Sequence, residues 1–376
     1  MTEGPDTAGP RPEEVVIFQP EFVEFGGEER VILALSEGLH AADLPHRVVC
    51  YRDHIDLAQH AREPLQVHAL NPAGSSSSKV RALRGLLLDL RAMGAPVPML
   101  FNIQSALHAG AARLAGGLRY HLRIPDTYSL LSPSAEHQVL NGGLARWTRE
   151  TLTGNGVRGA LDFFTNTSAL ANEMEQLYGR RAEVLYLGGF GEGASPPPQR
   201  DASRVHLLSV SRLQKSKRVD WMLRALAGLR ADSDTLPWQL HIVGNGPERD
   251  ALEQLSRTLE LGEWVVFHGF VDDLTLKGLY NLAHLFLMPA RQGYGLPAIE
   301  ALHHHCAVVM NTESGVAEVL QGSPWVGIAE PGEQAFGACL KAMLIRTSQP
   351  SFFDQKLPRL PSMEAWASQL IDRAGW

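Results

Sequence analysis

Short apolar runs alternate with helix-patterned segments along most of the chain, and this alternation constrains the fold more than any other feature. Val15–Phe18 is a strand-like run, and apolar residues at helical spacing follow it. Strand, turn and helix form the repeating unit of α/β proteins, so the sequence predicts parallel sheets covered by helices. Elements predicted in this way include a Ser/Gly loop over Asn71–Lys79, strands over Ala182–Leu187 and Val205–Val210, and a helix over Val219–Leu229.

A second α/β series begins after a stretch that is unsuited to regular structure. Gly188–Pro198 is rich in glycine and proline, which is typical of a linker. The chain therefore divides into two predicted domains. We predict a disordered tail over residues 1–14, an N-terminal Rossmann-like domain over 15–190, a linker over 191–203 and a C-terminal Rossmann-like domain over 204–360.

Composition excludes several classes of protein. The 376 residues include 34 basic and 41 acidic side chains, and the net charge of −7 argues against a nucleic-acid-binding protein. No stretch of about 18 residues is apolar enough to span a membrane. The polar N-terminus has no pattern of a secretory signal, and Cys50, Cys306 and Cys339 are too scattered for a disulfide framework. We therefore expect a cytoplasmic protein.

The segment Lys79–Arg123 departs from this acidic balance, because it carries seven basic residues against Asp89. Such a patch suits an anionic acceptor or the inner face of a membrane, so peripheral membrane contact is one prediction. A solvated helix face is the other interpretation, and both stay open here. The basic residues are Lys79, Arg81, Arg84, Arg91, Arg113, Arg119 and Arg123.

Two positively charged side chains follow a predicted strand in the second half of the chain. Arg212 comes two residues after Val205–Val210, and Lys217 lies five residues further on. A guanidinium fork and an ammonium group together suit a pyrophosphate. The alternative is an ordinary surface charge pair at the start of a helix.

A glycine turn, Gly244–Pro247, follows the next predicted strand. Gly244 and Gly246 allow the backbone to approach a phosphate or a sugar, and Pro247 suits a first helical turn. Ordinary turn chemistry is the alternative explanation. Arg249 replaces the third glycine of a dinucleotide-binding fingerprint, which argues against a nicotinamide-dependent enzyme.

The most informative segment is Pro289–Leu302, in which a glycine loop leads from a strand into a helix. Pro297 suits the helix start, where main-chain amides and the positive end of the dipole attract an anion. Gln292 lies in the loop. Glu300 is expected in the first helical turn, where its carboxylate can accept hydrogen bonds from two vicinal ribose hydroxyls. The alternative is an ordinary strand-to-helix turn. A further glycine turn, residues 312–318, follows the next strand.

These four elements, in this order, resemble the motifs of the retaining glycosyltransferases of glycosyltransferase family 4, which have the GT-B fold. The family carries a V-G-R-L…K-G element, a G-x-G-P turn, an E-x7-E motif and a G-G-V-x-E turn. The resemblance is strong over residues 205–330 and weaker in the first half, where Gly26–Glu28 resembles the family's glycine loop near the diphosphate. The counterparts here are residues 210–218, Gly244–Pro247, Gln292–Glu300 and Ser314–Glu318.

The resemblance implies an α/β GT-B fold, in which two Rossmann-like doubly wound domains face a cleft. A C-terminal helix within residues 361–376 is expected to return to the N-terminal, acceptor-binding domain. The implied reaction is metal-independent transfer of a sugar from a nucleotide sugar, with retention at the anomeric carbon and without a further cofactor. The implied acceptor is a glycan or a lipid-linked molecule, as in polysaccharide or glycoconjugate assembly.

The resemblance also implies roles for individual residues. Arg212 and Lys217 are expected to neutralise the leaving diphosphate, Glu300 to hold the ribose, and Gln292 to contact hydroxyls of the donor sugar. Main-chain amides from Gly293 to Leu296 are expected to line the sugar and the phosphate. The remaining residues of the implied nucleotide-sugar site are Gly26, Gly27, Gly244, Gly246, Phe270, Gly293, Tyr294, Gly295 and Leu296.

Three positions depart from the family pattern. Gln292 replaces a glutamate, and the loss of a charge-assisted hydrogen bond predicts about tenfold weaker binding or an altered sugar preference. Pro125 stands where the family carries a histidine, for which His108 and His121 are candidate substitutes. Arg218 replaces a glycine. These departures motivate the alternative of a catalytically weak or inactive GT-B protein that binds nucleotide and acts as a partner or regulatory subunit.

The run His303–His305 suggests a metal site at first sight. Successive helix positions diverge by about 100°, however, so the three side chains do not converge on one ion. We place them near a helix end, where a charged histidine complements the dipole. The sequence therefore predicts no metal.

Overall fold

The computed structural model divides the chain into two compact units. Unit 1 comprises Met1–Leu187 and Met363–Trp376, and unit 2 comprises Gly188–Ser362. Most of the predicted tail (residues 1–12) and most of the predicted linker (residues 191–197, 199, 201 and 202) lie outside the described residues. The structure describes residues 13–114, 116–126, 143–189, 198, 200, 203–230 and 237–376.

The main strands of unit 1 are largely buried, as expected for a parallel sheet covered on both faces. They and a short side pair are β1 (Val15–Phe18), β2 (Glu21–Phe22), β3 (His46–Cys50), β4 (Arg52–Asp53), β5 (Val67–Ala69), β6 (Met99–Phe101), β7 (His121–Arg123), β8 (Phe163–Thr165) and β9 (Glu183–Val184). Seven of these described strands pair in parallel in the order β5-β3-β1-β6-β7-β8-β9, and β2 pairs with β4. The order reverses between β1 and β6, which is the switch point of a doubly wound sheet.

Helices connect the strands of unit 1, and one of them begins earlier than predicted. Ser76–Lys79, assigned to a loop from the sequence, forms the first turn of a helix because the Ser75 hydroxyl accepts a hydrogen bond from the Ser78 amide (3.2 Å) and caps it. Ser75 is therefore the N-cap of this helix, and the serines that follow belong to its first turn. The helices are α1 (Gly27–Ala41), α2 (Ser76–Ala92), α3 (Ile103–Arg113), α4 (Gly143–Gly159) and α5 (Ser168–Tyr178).

Unit 2 repeats this topology. Its strands are β10 (Val205–Val210), β11 (Trp238–Val243), β12 (Val265–Gly269), β13 (Leu285–Met288), β14 (Ala307–Asn311) and β15 (Val326–Ala329). Its helices are α6 (Val219–Leu229), α7 (Arg249–Thr258), α8 (Asp273–Leu282), α9 (Leu296–His303), α10 (Ala317–Leu320) and α11 (Glu333–Thr347). The described strands pair in parallel in the order β12-β11-β10-β13-β14-β15, with the reversal between β10 and β13.

The C-terminal helix, α12 (Met363–Ala374), belongs to unit 1, which confirms the predicted return. It packs on α1 so closely that a Cβ added at Gly38 would lie 2.7 Å from the Cβ of Ala367. Trp366 on α12 is buried and lies under the guanidinium of Arg123 (5.3 Å from Cζ to the ring centroid). The helix thereby completes the core of unit 1.

Two predicted boundaries in unit 1 differ from the structure. The strand over Ala182–Leu187 reduces to β9, because only two of its residues pair with the short neighbouring strand β8. Glu14, assigned to the tail, is buried, and its Oε2 lies 3.3 Å from the Nε of Arg47.

No helix among the described residues is both long and apolar enough to cross a bilayer.

Candidate active site

Most of the predicted site residues lie at the carboxyl edge of the unit 2 sheet, on either side of its switch point. The loop after β10 carries Arg212 and Lys217, and the loop after β13 carries Gln292. β10 and β13 are neighbours in the sheet, with Leu208 opposite Phe286. In doubly wound sheets, ligands bind beyond the strand ends at this reversal. The topology therefore brings together two motifs that are separated by about 75 residues of sequence.

The loop after β10 is held in place by the glycine turn after β11. A Cβ at Gly244 would lie 2.0 Å from the carbonyl oxygen of Ser211, and a Cβ at Gly246 would lie 2.4 Å from that of Leu213. The Leu213 amide donates to the Asn245 carbonyl (2.9 Å). The two glycines therefore allow close packing of backbone on backbone, and this packing orients the exposed loop residue Arg212. Pro247 lies before α7, outside its first turn.

Lys217 and Gln292 are in direct contact. Lys217 ends a short 3-10 turn, Lys215–Lys217, and its Nζ donates a hydrogen bond to Oε1 of Gln292 (2.6 Å). The Nε2 of Gln292 lies 2.8 Å from the Sδ of Met288. These contacts orient the amide, with its oxygen toward the cation. A neutral side chain thus contacts the lysine at the position where the resemblance implies a glutamate.

The loop between β13 and α9 depends on a glycine in the left-handed region. Gly295 has a φ of 115°, and a Cβ there would lie 2.6 Å from the Nε2 of Gln292. Tyr294 and Leu296 are buried, and the Tyr294 carbonyl accepts a hydrogen bond from the Val316 amide (3.0 Å). Pro297 occupies the first turn of α9, as predicted. The resulting helix N-terminus has the polarity that suits a phosphate or a sugar oxygen.

Glu300 is the fifth residue of α9, one position beyond the predicted first turn. Its Oε2 accepts a hydrogen bond from the hydroxyl of Tyr280 (3.3 Å). The Tyr280 ring in turn stacks on His304 (5.3 Å between centroids, 6° between planes). Sequence reasoning missed Tyr280, which supports the carboxylate from α8, because no local pattern connects residues on two helices.

The run His303–His305 lies at the end of α9, as predicted, but its expected interaction with the helix dipole is wrong. Burial, assisted by the nearby Lys277, lowers the pKa of His304 to about 4, so the ring is neutral near pH 7. Its Nδ1 lies 2.8 Å from the Oδ1 of Asn281. Among the described residues, no group of three or more His, Cys, Asp or Glu side chains is arranged to hold a metal ion.

The loop after β14 completes the edge and carries residues that sequence reasoning did not single out. The Glu313 carbonyl accepts from the Gln292 amide (3.2 Å), and the Glu313 carboxylate pairs with Arg218. The Arg218 guanidinium lowers the pKa of Glu313 below its usual range.

Phe270, just beyond β12, is 78% exposed at the same edge. An exposed aromatic ring there is available for stacking with a base.

The predicted residues of unit 1 lie at the carboxyl edge of the other sheet. Gly26 precedes α1 and Gly27 begins it, and the Gly26 amide donates to Oε2 of Glu29 (3.0 Å). Glu28, next in the helix, pairs with Arg123 at the end of β7 (2.7 Å). Burial raises the pKa of Glu28, and the Arg123 charge opposes that rise. Arg123 itself is 1% exposed, so it contacts protein on all sides.

The two candidate substitutes for the histidine that is absent at Pro125 are buried and contact other residues. His121 begins β7, at the opposite edge of the sheet, and lies 2.8 Å from Asp162. The Nδ1 of His108 lies 3.0 Å from the Tyr51 hydroxyl, and burial lowers the pKa of His108 to about 4. His121 thus lies at the amino end of β7, two residues before Arg123, and its substitution for the absent histidine stays a prediction. Part of the segment compared with the family's histidine region, residues 127–130, lies outside the described residues.

The basic residues of Lys79–Arg123 do not form one exposed patch. Arg123 is buried, and Lys79 pairs with Glu21 (2.5 Å). Arg113 donates to the main-chain carbonyl of Asn155 (2.8 Å). Three other members, Arg81, Arg91 and Arg119, are exposed.

Comparison with known proteins agrees with this architecture. Residues 204–345 match the family described as Glycosyl transferases group 1, and residues 26–189 match the Glycosyl transferase 4-like domain. The first match covers the helices and strands of unit 2 through most of α11, and the second covers unit 1 from the glycine loop onward. Each unit therefore matches a glycosyltransferase domain family over most of its length.

An uncharacterized glycosyltransferase of Methanocaldococcus jannaschii is 32% identical over 135 residues, which is 35% of this chain and 34% of that relative. The aligned segment thus spans about a third of the curated relative. The lipopolysaccharide outer core galactosyltransferase WaaB has a TM-score of 0.69 at 16% identity, covering 96% of this chain and 98% of that one. HepE of Anabaena, solved with UDP and glucose, has a TM-score of 0.68 at 18% identity over 96% and 99% of the two chains. These similarities confirm the predicted GT-B fold.

Proposed function

We propose that the protein is a retaining, metal-independent glycosyltransferase that uses a nucleotide sugar as its donor. The observation that carries the proposal is the convergence of Arg212, Lys217, Gln292 and the N-terminus of α9 at the switch point of unit 2. Two cations and a helix N-terminus together suit a diphosphate, the leaving group of a nucleotide sugar. Glu300 follows on the same helix and suits the ribose hydroxyls.

The chemistry requires stabilisation of negative charge on the leaving group. When the bond between the anomeric carbon and the phosphate oxygen breaks, the electron pair stays on the diphosphate. Preorganised cations and main-chain amides stabilise that charge without reorganisation during the reaction. Arg212 and Lys217 supply the charge here, so the proposed reaction needs no metal ion. Retention rests on the resemblance of the motifs to family 4.

The comparisons support a choice of donor and acceptor to test first. HepE was solved with UDP and glucose, which favours a uridine diphosphate sugar as the donor. WaaB is a lipopolysaccharide galactosyltransferase, which favours a glycan or lipid-linked acceptor. Exposed Arg81 and Arg119 in unit 1 support peripheral contact with an anionic membrane or acceptor. Binding to anionic vesicles that does not weaken when both arginines are changed to glutamate would argue against this contact.

The first experiment is thermal unfolding of the pure protein with UDP, GDP, ADP, CDP or NAD, with and without magnesium. A ligand at about 100 times its dissociation constant stabilises the folded state by about 2.7 kcal/mol, which gives a measurable shift in Tm. We expect one nucleoside diphosphate to raise Tm equally with and without magnesium. A shift that needs magnesium would contradict metal independence, and no shift with any nucleoside diphosphate would contradict the donor site.

Transfer is then tested with the matching nucleotide sugar and candidate acceptors, and the anomeric configuration of the product is read by NMR. Retention is the expected result, and inversion would contradict the family 4 resemblance. A stabilising nucleotide whose sugar conjugates all remain intact would favour the non-catalytic, regulatory alternative.

A further inference from the structure

Arg218 adopts a backbone conformation that favours glycine. It lies between the 3-10 turn Lys215–Lys217 and helix α6, with φ 51° and ψ 39°. A side chain other than glycine in the left-handed region is strained, and such residues are held in place by surrounding interactions. The resemblance implies glycine at this position, which adopts the conformation without strain. The arginine side chain therefore needs an explanation.

The side chain of Arg218 is held on three sides. Its guanidinium pairs with the Glu313 carboxylate and lies 3.4 Å from the Pro289 carbonyl oxygen. It also lies over the ring of Trp221, 4.4 Å from the centroid. The Arg218 and Glu313 side chains are 19% and 24% exposed, so the pair is partly shielded from water. A shielded, stacked ion pair is stronger than a surface pair.

Two of these contacts, those with Pro289 and Glu313, lie in other loops of the candidate active site, whereas Trp221 lies in helix α6. Loop A (residues 211–218) follows β10 and carries Arg212 and Lys217, loop B (residues 289–295) follows β13 and carries Gln292, and loop C (residues 312–316) follows β14. Arg218 starts in loop A and reaches the first residue of loop B and the second residue of loop C.

Main-chain hydrogen bonds connect the same three loops. The Arg291 amide donates to the Ser216 carbonyl (3.0 Å), which joins loop B to loop A. The amides of Gln292 and Gly315 join loop B to loop C (3.2 and 3.3 Å). Arg218 adds a direct connection from loop A to loop C, so that each of the three loops contacts the other two.

We propose that Arg218 is a positioning residue that holds loops A, B and C in the donor-binding arrangement. The proposal rests on the function proposed above, because it concerns the same site. The ion pair and the stacking outweigh the strain of the left-handed backbone. Without the guanidinium, loop C is released from loop A, and Gln292 and Lys217 lose a fixed geometry. Donor binding then includes the entropy of ordering these loops again.

The test compares Arg218→Gly, which suits the backbone but removes the ion pair, with Glu313→Gln, which keeps the shape but removes the charge. The conservative variant Arg218→Lys retains the charge. Arg224→Ala is the matched control, because Arg224 forms an exposed ion pair with Asp220 on the same helix. The first readout is hydrogen–deuterium exchange of the free protein at the amides of Arg291, Gln292, Gly315 and Val316, which needs no donor and no activity.

We expect Arg218→Gly and Glu313→Gln to speed exchange at these four amides about tenfold, with little change in the strands of unit 2. The double variant should exchange no faster than either single variant, because both remove the same connection. The exchange rates of Arg218→Lys should lie between those of Arg218→Gly and the unchanged protein. The exchange rates of Arg224→Ala should equal those of the unchanged protein. Exchange that is unchanged in Arg218→Gly would overturn the proposal, as would acceleration spread evenly over unit 2.

The second readout is the donor KM and kcat. We expect Arg218→Gly to raise the donor KM about tenfold, equivalent to about 1.4 kcal/mol, while kcat falls less. A role confined to folding would instead lower Tm and leave KM unchanged. If the unchanged protein transfers sugar and the variant keeps its KM, the positioning role is wrong and the proposed function stands. If the unchanged protein neither transfers sugar nor binds any nucleotide, the proposed function fails, and the exchange data alone decide the role of Arg218.

Discussion

The sheets of the two units share the strand order of six strands, to which unit 1 adds β9, but charged residues serve opposite purposes at their carboxyl edges. In unit 2, Arg212 is exposed and Lys217 contacts Gln292 at the loop surface. In unit 1, Arg123 is buried between Glu28, Asn166 and two aromatic rings. One edge thus presents charge for a ligand, whereas the other uses charge to hold its own elements together. A shared topology places residues at an edge, and the loops and neighbouring side chains decide whether they stay accessible.

This comparison predicts different consequences of substitution. Removing a charge from the unit 1 edge should destabilise the fold, because its partner is left in a buried environment. Removing a charge from the unit 2 edge should weaken ligand binding and leave the fold intact. The predictions below test that distinction, from the largest expected effect to the smallest.

The largest effect is expected for Arg123→Met in unit 1. The change leaves the Glu28 carboxylate and the Asn166 amide oxygen without the guanidinium that contacts both. Breaking this pair lowers the free energy of unfolding by about 3 kcal/mol, the lower end of the range for a buried pair, because the Glu28 side chain is 21% exposed. Urea denaturation followed by circular dichroism measures this change. Adding Glu28→Gln should recover part of the lost stability, since no uncompensated carboxylate remains. An Arg123→Met variant as stable as the unchanged protein would contradict the view that the charges at the unit 1 edge hold its elements together.

The next effect is expected for Glu300→Ala in unit 2. A hydrogen bond from a ribose hydroxyl to a carboxylate contributes about 1.5–3 kcal/mol, so its loss should weaken nucleotide binding about tenfold to a hundredfold. The free energy of unfolding should change little, because Glu300 is only partly buried. Calorimetric titration with the stabilising nucleoside diphosphate measures Kd. Glu330→Ala, an exposed carboxylate in the same unit, is the control, and an unchanged Kd in Glu300→Ala would place the ribose elsewhere.

The third prediction is that lowering the pH destabilises both units for the same reason. Burial is the main cause that lowers the pKa of His108 in unit 1 and of His241 in unit 2 to about 4. Since an unfolded histidine has a pKa near 6.5, the unfolded state binds protons first as the pH falls. Stability should therefore be complete above pH 6.5 and decrease toward pH 4, by about 1.4 kcal/mol per pH unit for each histidine.

Urea denaturation at pH 7 and pH 5 measures this dependence. Replacing His108 or His241 with glutamine should make the loss of stability between these pH values smaller. A variant of either buried histidine that keeps the full pH dependence would show that the group is not the one that titrates.

The smallest effect is expected for Gln292→Glu, which introduces the glutamate found in the related motif. The carboxylate should pair with Lys217 and accept a stronger hydrogen bond from a sugar hydroxyl, so the donor should bind up to about tenfold more tightly. Competition between donors that differ in the sugar measures the accompanying change in preference. A donor Kd that increases in this variant would show that the neutral amide is required at this position.

Much of the fold could be predicted from local sequence. β1, β10 and α6 have the predicted boundaries, because apolar periodicity and flanking turn residues are local signals. The serine run before α2 was misassigned, since the same residues suit a loop and a helix cap. β9 is shorter than predicted because its length depends on pairing with β8, a property of the neighbouring strand.

The candidate site was predicted less completely. Order and spacing identified Arg212, Lys217, Gln292 and Glu300, which occupy adjacent loops and the helix that follows. The same reasoning missed Tyr280 and Glu313, because each acts on a site residue through a contact between distant parts of the chain. It also noted Arg218 as a departure from the family without indicating that its side chain connects three loops.

The sequence by itself determined the alternation of strands and helices, the presence of two α/β domains and the order of the motifs. These features depend on periodicity and on the conformational preferences of glycine and proline, which act over a few residues. The tertiary structure alone decided which charges are buried and which remain accessible. Arg123 and Arg212 are the same residue type near the ends of parallel strands, and their different surroundings arise because folding packs Glu28, Phe101 and Trp366 around only one of them.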